Sequence, residues 1–220
     1  CTGLFPVVRI DRIGLVSQCL RMRSLRRWWL IQKSGIPENV RDPFVNTEQG
    51  FNVILSHKIE LDTTHRQREY FARCCGTARF VWNRALAMWN EQRAFGNNTT
   101  GMSLKCVFNQ DKYELYPWLK DVHRDCHSQP FANLQKAFAK FFNGTAKYPK
   151  FKRKGACRDS FYIANDLFRI EGKSAVMPKI GRVRLTQELR LTGKIMSATV
   201  SRTAGRWFIA IQVDVGDYRK

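Results

Sequence analysis

The period of the hydrophobic pattern changes twice along this chain, and that double change restricts the fold more than any single motif in it. In FNVILSHKIEL, Val53 and Leu55 and then Ile59 and Leu61 alternate, and the run reads as a strand. At Thr64 the period lengthens to that of a helix. From Lys147 onward the text breaks into short β-branched and aromatic runs, SFYIA, LFRIE, AVMPKIGRVRL, KIMSATVSR and RWFIAIQVDV, separated by Gly-containing turns. A helical block bracketed by β segments means an α+β fold in which helices are inserted into a sheet.

The helical block divides into three. Thr64 with Gln67 forms a capping box, and Tyr70, Phe71, Cys74, Cys75, Ala78, Val81, Ala85, Leu86 and Trp89 recur at helical spacing, with Gly76 as the weak point of one long helix or a kinked pair. Ser103 is placed to cap a shorter helix that Pro117 ends. The third is the clearest: Ser128 precedes it, Pro130 suits its first turn, Phe131, Leu134, Phe138, Phe141 and Phe142 share a side, and Gly144 closes it. In the β region Trp207, Ile209, Ile211, Val213 and Val215 alternate strictly. About five short antiparallel strands, joined by the early strand at 52–61, are expected to close into a small barrel that leaves no open edge.

Charge narrows the function. Of 220 residues 38 are Lys or Arg and 18 are acidic, a formal net charge of +20. Such self-repulsion is offset by a polyanion, either nucleic acid or an anionic lipid surface. No apolar run approaches the roughly 18 residues that span a bilayer, so nucleic acid is the expected partner and no membrane is. The seven Cys include no C-x-x-C pair, which fits reduced, cytoplasmic usage as small core residues.

The sharpest basic element is KYPKFKRKG, residues 147–155. Lys147, Lys150, Lys152, Arg153 and Lys154 can neutralise successive phosphates, Tyr148 and Phe151 can stack on a base or pin the segment to the core, and Pro149 keeps it out of a helix. Arg79 and Asn83 lie one helical turn apart, and a mid-helix Asn needs a hydrogen-bonding reason, whether packing or nucleic acid. HRDCH places His123, Cys126 and His127 close together, but with no second pair at a familiar spacing it is not assigned as a metal site. Near the chain end, VDVGD could begin the carboxylate set of a metal-dependent nuclease through Asp214 and Asp217, or simply finish a strand. No phosphate-binding Gly loop or hydrolase motif occurs, and no catalytic residue is assigned.

The run HKIELDTTHRQREYFARCCGTARFVWNRAL, followed in order by PWLKDVHRD, QPFANLQKAFAKFFNGTAKYPKFKRKG, DSFYIANDLFRIEG, PKIG and LTGKIMSATVSRTAGRWFIAIQV, resembles the amino-terminal half of the TnpB (OrfB) proteins encoded by insertion sequences. The resemblance extends from about residue 54 to 213 and leaves out residues 1–50. It implies a wedge-type β-barrel (51–62 plus 146–216) carrying an inserted helical recognition domain (63–145), with 1–50 an extension and 217–220 a linker toward a RuvC-like nuclease domain expected to be absent from this chain. On that reading VDVGD ends the barrel. The implied partners are a guide RNA and a double-stranded DNA target, with base pairing reading most of the sequence; the implied motif-reading residues are Arg124, Ser128, Gln129 and Asn165. Mg2+ and Zn2+ are implied only for the nuclease part, in a bacterial or archaeal cytoplasm. The alternative is a nuclease-lacking DNA-binding repressor or a decayed transposase remnant.

Overall fold

The computed structural model describes residues 52–217; the extension at 1–50 with its LRMRSLRRWWLIQK run, and residues 218–220, lie outside them. Strand β1 (Asn52–Asp62) leads directly into helix α1 (His65–Ala94). Thr64 caps α1: its Oγ1 accepts from the Gln67 N–H at 3.4 Å, while Gln67 Oε1 accepts from the Thr64 N–H at 3.0 Å. Gln67 Nε2 also donates to the Arg182 carbonyl at 3.0 Å, so the cap ties the helix to the sheet. α1 runs unbroken through Gly76, whose surroundings are open. Buried neighbours on either side of Gly76 outweigh its low helix propensity of about 1 kcal/mol.

Helix α2 (Gly101–Leu115) starts earlier than Ser103 suggests. Thr100 is the N-cap, and Ser103 is the third residue of a reciprocal box with it. A 3-10 turn at Pro117–Asp121 leads to α3 (Asp125–Phe142), which begins five residues before Pro130. Its first bonds are of the tight 3-10 type, Cys126 N–H to His123 O and His127 N–H to Arg124 O. Burial of Asp125, Cys126 and His127 fixes this extra turn, overriding the rule that puts Pro in the first one.

The remaining strands are β2 (Ser160–Ala164), β3 (Arg169–Glu171), β4 (Ser174–Met177), β5 (Gly181–Leu185), β6 (Lys194–Thr203) and β7 (Arg206–Asp217), with a 3-10 turn at Asn165–Leu167 between β2 and β3. All pairings are antiparallel, in the order β2-β6-β7-β1-β5-β4-β3. Closure into a barrel, expected from the strand pattern, does not occur: the end strands β2 and β3 are joined through the turn but share no ladder. β1 bridges the two halves, pairing with β7 from Asn52 to Glu60 and with β5 at Leu61 and Asp62. The first turns of α1 provide the reason. Tyr70, Phe71, Cys74 and Cys75 form one core with Ile59, Phe161, Val183, Trp207 and Ile209, so that face of the sheet is covered by a helix. Phe71 sits 5.2 Å from the Trp207 ring and 5.6 Å from Phe161.

A second core joins the helices: Val81, Leu86, Trp89, Phe108, Phe131, Leu134 and Phe138. Trp89 stacks on Phe138 with centroids 4.0 Å apart, a geometry that adds about 0.5–1.5 kcal/mol to area burial. The alternation read in β7 holds through Val213, with Trp207, Ile209, Ile211 and Val213 all buried, and stops at Val215, which is half-buried like its neighbours. Asp214 lies inside that strand, its backbone facing Ile54 and Lys194.

Candidate nucleic-acid interface

The strip from Lys147 to Gly155 is irregular in backbone, and α1 holds it at several points. Trp82 Nε1 donates to the Lys150 carbonyl at 3.0 Å. Asn83 takes both polar groups of Lys152, Nδ2 donating to its carbonyl at 2.9 Å and Oδ1 accepting from its N–H at 2.7 Å. Tyr148 Oη donates to Asn90 Oδ1 at 2.5 Å, and its ring meets Phe138 and Phe141 edge-on. Pro149 is buried. A segment with no ladder of its own thus acquires a fixed path, because α1 supplies partners for the Lys150 carbonyl and both backbone groups of Lys152.

This anchoring sorts the side chains. Lys147, Lys150, Arg153 and Lys154 are exposed, and Phe151 is 56% exposed. Lys152 differs: its Nζ lies 4.0 Å from the Trp82 ring centroid, and burial lowers its pKa. Of the two aromatics, Tyr148 pins the strip and Phe151 is presented to solvent. Arg79 pairs with Asp159, both half-buried, just before β2. Both α1 residues singled out from sequence are therefore engaged by protein groups. Trp82 and Asp159 were not singled out; an indole N–H on an otherwise apolar helix face, which needs an acceptor when buried, was the available signal.

The four residues implied by family resemblance fall around the start of α3 and the β2–β3 turn. Arg124 is exposed and reaches Asp166 with Nη2 2.5 Å from Oδ2. Asn165 is exposed beside it in the turn. Ser128 and Gln129 are half-buried on α3. Gln129 lines a cleft of about 180 Å³ with Asn133, Lys152, Tyr162 and Thr199, so one member of this group and one member of the strip border the same cleft. Asp125 supports the arrangement: it is buried, and its Oδ2 accepts the Ala164 N–H at 2.8 Å, holding the turn against α3.

A family model described as a helix-turn-helix domain of the OrfB type encoded by IS605 elements matches residues 53–97. The chain is 30% identical over 171 residues to "Putative RNA-guided DNA endonuclease InsQ" of Escherichia coli (strain K12), a match covering 73% of this chain and 40% of the relative. It is similar to OrfB-type proteins over that span. A "Putative RNA-guided DNA endonuclease" of Streptomyces pristinaespiralis is 29% identical over 157 residues, covering 67% of this chain and 38% of that protein. The chain thus spans about two fifths of the length of the curated relatives it matches. The residues of the matched domain form β1 and the single helix α1, and they include Trp82 and Asn83, the anchors of the basic strip. Among the described residues, no helix is long and apolar enough to cross a membrane.

Proposed function

We propose that this chain is the nucleic-acid-binding, amino-terminal portion of a TnpB-like RNA-guided DNA endonuclease, holding a guide RNA and the duplex beside its DNA target. The observation that carries the reading is the strip at 147–155, whose backbone is held by α1 while four cations and Phe151 face solvent. Fixing the backbone removes conformational entropy that a mobile basic tail would lose on binding. The cations neutralise phosphates, Phe151 stacks on an unpaired base, and Arg124, Ser128, Gln129 and Asn165 face the target-adjacent motif. Base pairing reads the remaining sequence, so the protein has to recognise chiefly backbone and shape. The curved sheet plays the part of the wedge and the helices that of the recognition domain, in the cytoplasm of a bacterium or archaeon. Strand cleavage with Mg2+, and the family's zinc ribbon, belong to a nuclease part and involve none of the residues assigned here.

The test is equilibrium binding of the purified chain to a structured RNA and to duplex DNA between about 50 and about 200 mM salt. Affinity is expected to fall steeply, with about 0.9 in the log–log slope for each duplex phosphate neutralised. Salt-independent binding, or none to either polymer, ends the reading.

A further inference from the structure

Beneath the start of α3, three soft or nitrogenous donors from separate parts of the chain converge in the core. Among the described residues, the ligand atoms of Cys74, His123 and Cys126 lie within 4.8 Å of one another. Cys74 is on α1, His123 in the link before α3 and Cys126 on its first turn, at 0%, 2% and 1% exposure. The sequence set His123, Cys126 and His127 aside as too few. The fold replaces His127, which turns toward Tyr113, with Cys74 from 49 positions earlier than His123.

We infer that Cys74, His123 and Cys126 form a buried binding site for a soft, tetrahedral cation of the Zn2+ class. Three observations carry this. Nδ1 of His123 lies 3.8 Å from Cys74 Sγ and 3.4 Å from Cys126 Sγ. Zn–S bonds of about 2.3 Å and Zn–N bonds of about 2.0–2.1 Å at a tetrahedral angle put sulfur and nitrogen about 3.5 Å apart. The other ring nitrogen, Nε2, is 3.0 Å from the Tyr162 carbonyl and donates to it, which leaves the Nδ1 lone pair free on the side of Cys74; metal-ligating histidines are oriented by such an outer partner. Finally, Tyr70 Oη stands 3.3 Å from Nδ1, placing an oxygen beside the fourth corner.

Cys126 Sγ is also 3.5 Å from Nε2 and so lies toward the ring rather than along the lone pair. Closing on an ion swings this thiol toward Cys74. Both thiols release their protons to solvent as they bind, the imidazole stays neutral with its proton on Nε2, and the two thiolates offset the dication's charge. The bound ion would clip α1 to the segment that carries Arg124, which lies between two of the ligands. The inference stands on the donor geometry and does not rest on the proposed function.

The decisive experiment loads the full chain, reduced and stripped with chelator, with Co2+ and then adds Zn2+. One equivalent should give thiolate-to-cobalt charge-transfer bands and tetrahedral ligand-field bands that Zn2+ bleaches. A variant replacing the other cysteines (Cys1→Ser, Cys19→Ser, Cys75→Ser, Cys106→Ser, Cys157→Ser) should keep them. Cys74→Ser and Cys126→Ser should weaken Co2+ binding by more than the about 10–100-fold that follows an outer-partner change. Should either serine variant fail to fold, Zn2+-induced protection from hydrogen exchange in the folded native chain decides: it is expected at residues 70–76 and 122–128, and its absence there overturns the site. Lack of bands in the native chain, their survival in Cys74→Ser, or a Cys74–Cys126 disulfide in chain that takes up no metal would likewise overturn it.

Discussion

Asn83 grips Lys152 by the backbone rather than by the side chain, donating to its carbonyl at 2.9 Å and accepting from its N–H at 2.7 Å across 69 positions of sequence. An amide is the only neutral side-chain group of this size that offers a donor and an acceptor side by side. Asn83→Asp keeps the shape but loses the donor and sets an anion against a carbonyl. Leaving a half-buried carbonyl without its partner should cost about 1–3 kcal/mol. Urea unfolding should show this as a lower midpoint at unchanged slope; an unchanged midpoint would mean that the contact contributes nothing.

The two aromatics of the strip should separate in their effects. Both are exposed, Tyr148 at 45% and Phe151 at 56%, but Tyr148 is tied to Asn90, Phe138 and Phe141. Phe151→Ala should therefore weaken single-stranded RNA or DNA binding by about 1–3 kcal/mol while stability stays within about 0.5 kcal/mol. Tyr148→Ala should destabilise the fold first. Anisotropy titrations beside thermal unfolding distinguish the two, and equal stability losses would contradict this assignment.

Neutralising Lys147, Lys150, Arg153 and Lys154 one at a time with Gln should lower the salt slope for duplex binding by about 0.9 for each residue that contacts a phosphate. Lys152→Gln should change it less, because that ammonium is held 4.0 Å from the Trp82 ring centroid. A slope that is the same for all five variants would place the phosphate contacts elsewhere.

Arg79 and Asp159 are 15% and 27% exposed, between the limits of a surface pair worth about 0–1 kcal/mol and a buried one whose rupture costs about 3–5. Arg79→Ala should then cost about 1–3 kcal/mol, and Arg79→Ala with Asp159→Ala together less than the sum of the two. Additive losses in the double-mutant cycle would show the pair to be uncoupled.

Arg124 is held by Asp166 on an exposed surface, with 61% and 47% of the side chains accessible. Asp166→Asn should leave stability within about 0.5 kcal/mol yet raise duplex affinity, because a carboxylate next to the proposed DNA face is removed and the guanidinium is released. Unaltered affinity would argue that Arg124 faces no phosphate or base.

What the sequence by itself determined is local. The Thr64 cap, the aromatic stripe of Phe131, Leu134 and Phe138 and the alternation from Trp207 to Val213 follow from periods and end signals carried within each segment, and all are present in the fold. The family resemblance could be read too, since its motifs occur in order. Segments whose burial comes from elsewhere were less legible. α3 begins before Pro130 because β2 and α1 bury Asp125, Cys126 and His127, and Thr100 displaces Ser103 as a cap because either could bond the same turn. Only the tertiary structure decided that the sheet stays open, because α1 covers one face of it where a seventh interstrand ladder would otherwise close it. Likewise, no spacing rule connects Asn83 to Lys152 or Cys74 to His123. Those pairs exist because two cores, packed on opposite ends of one unbroken helix, bring distant segments to its sides.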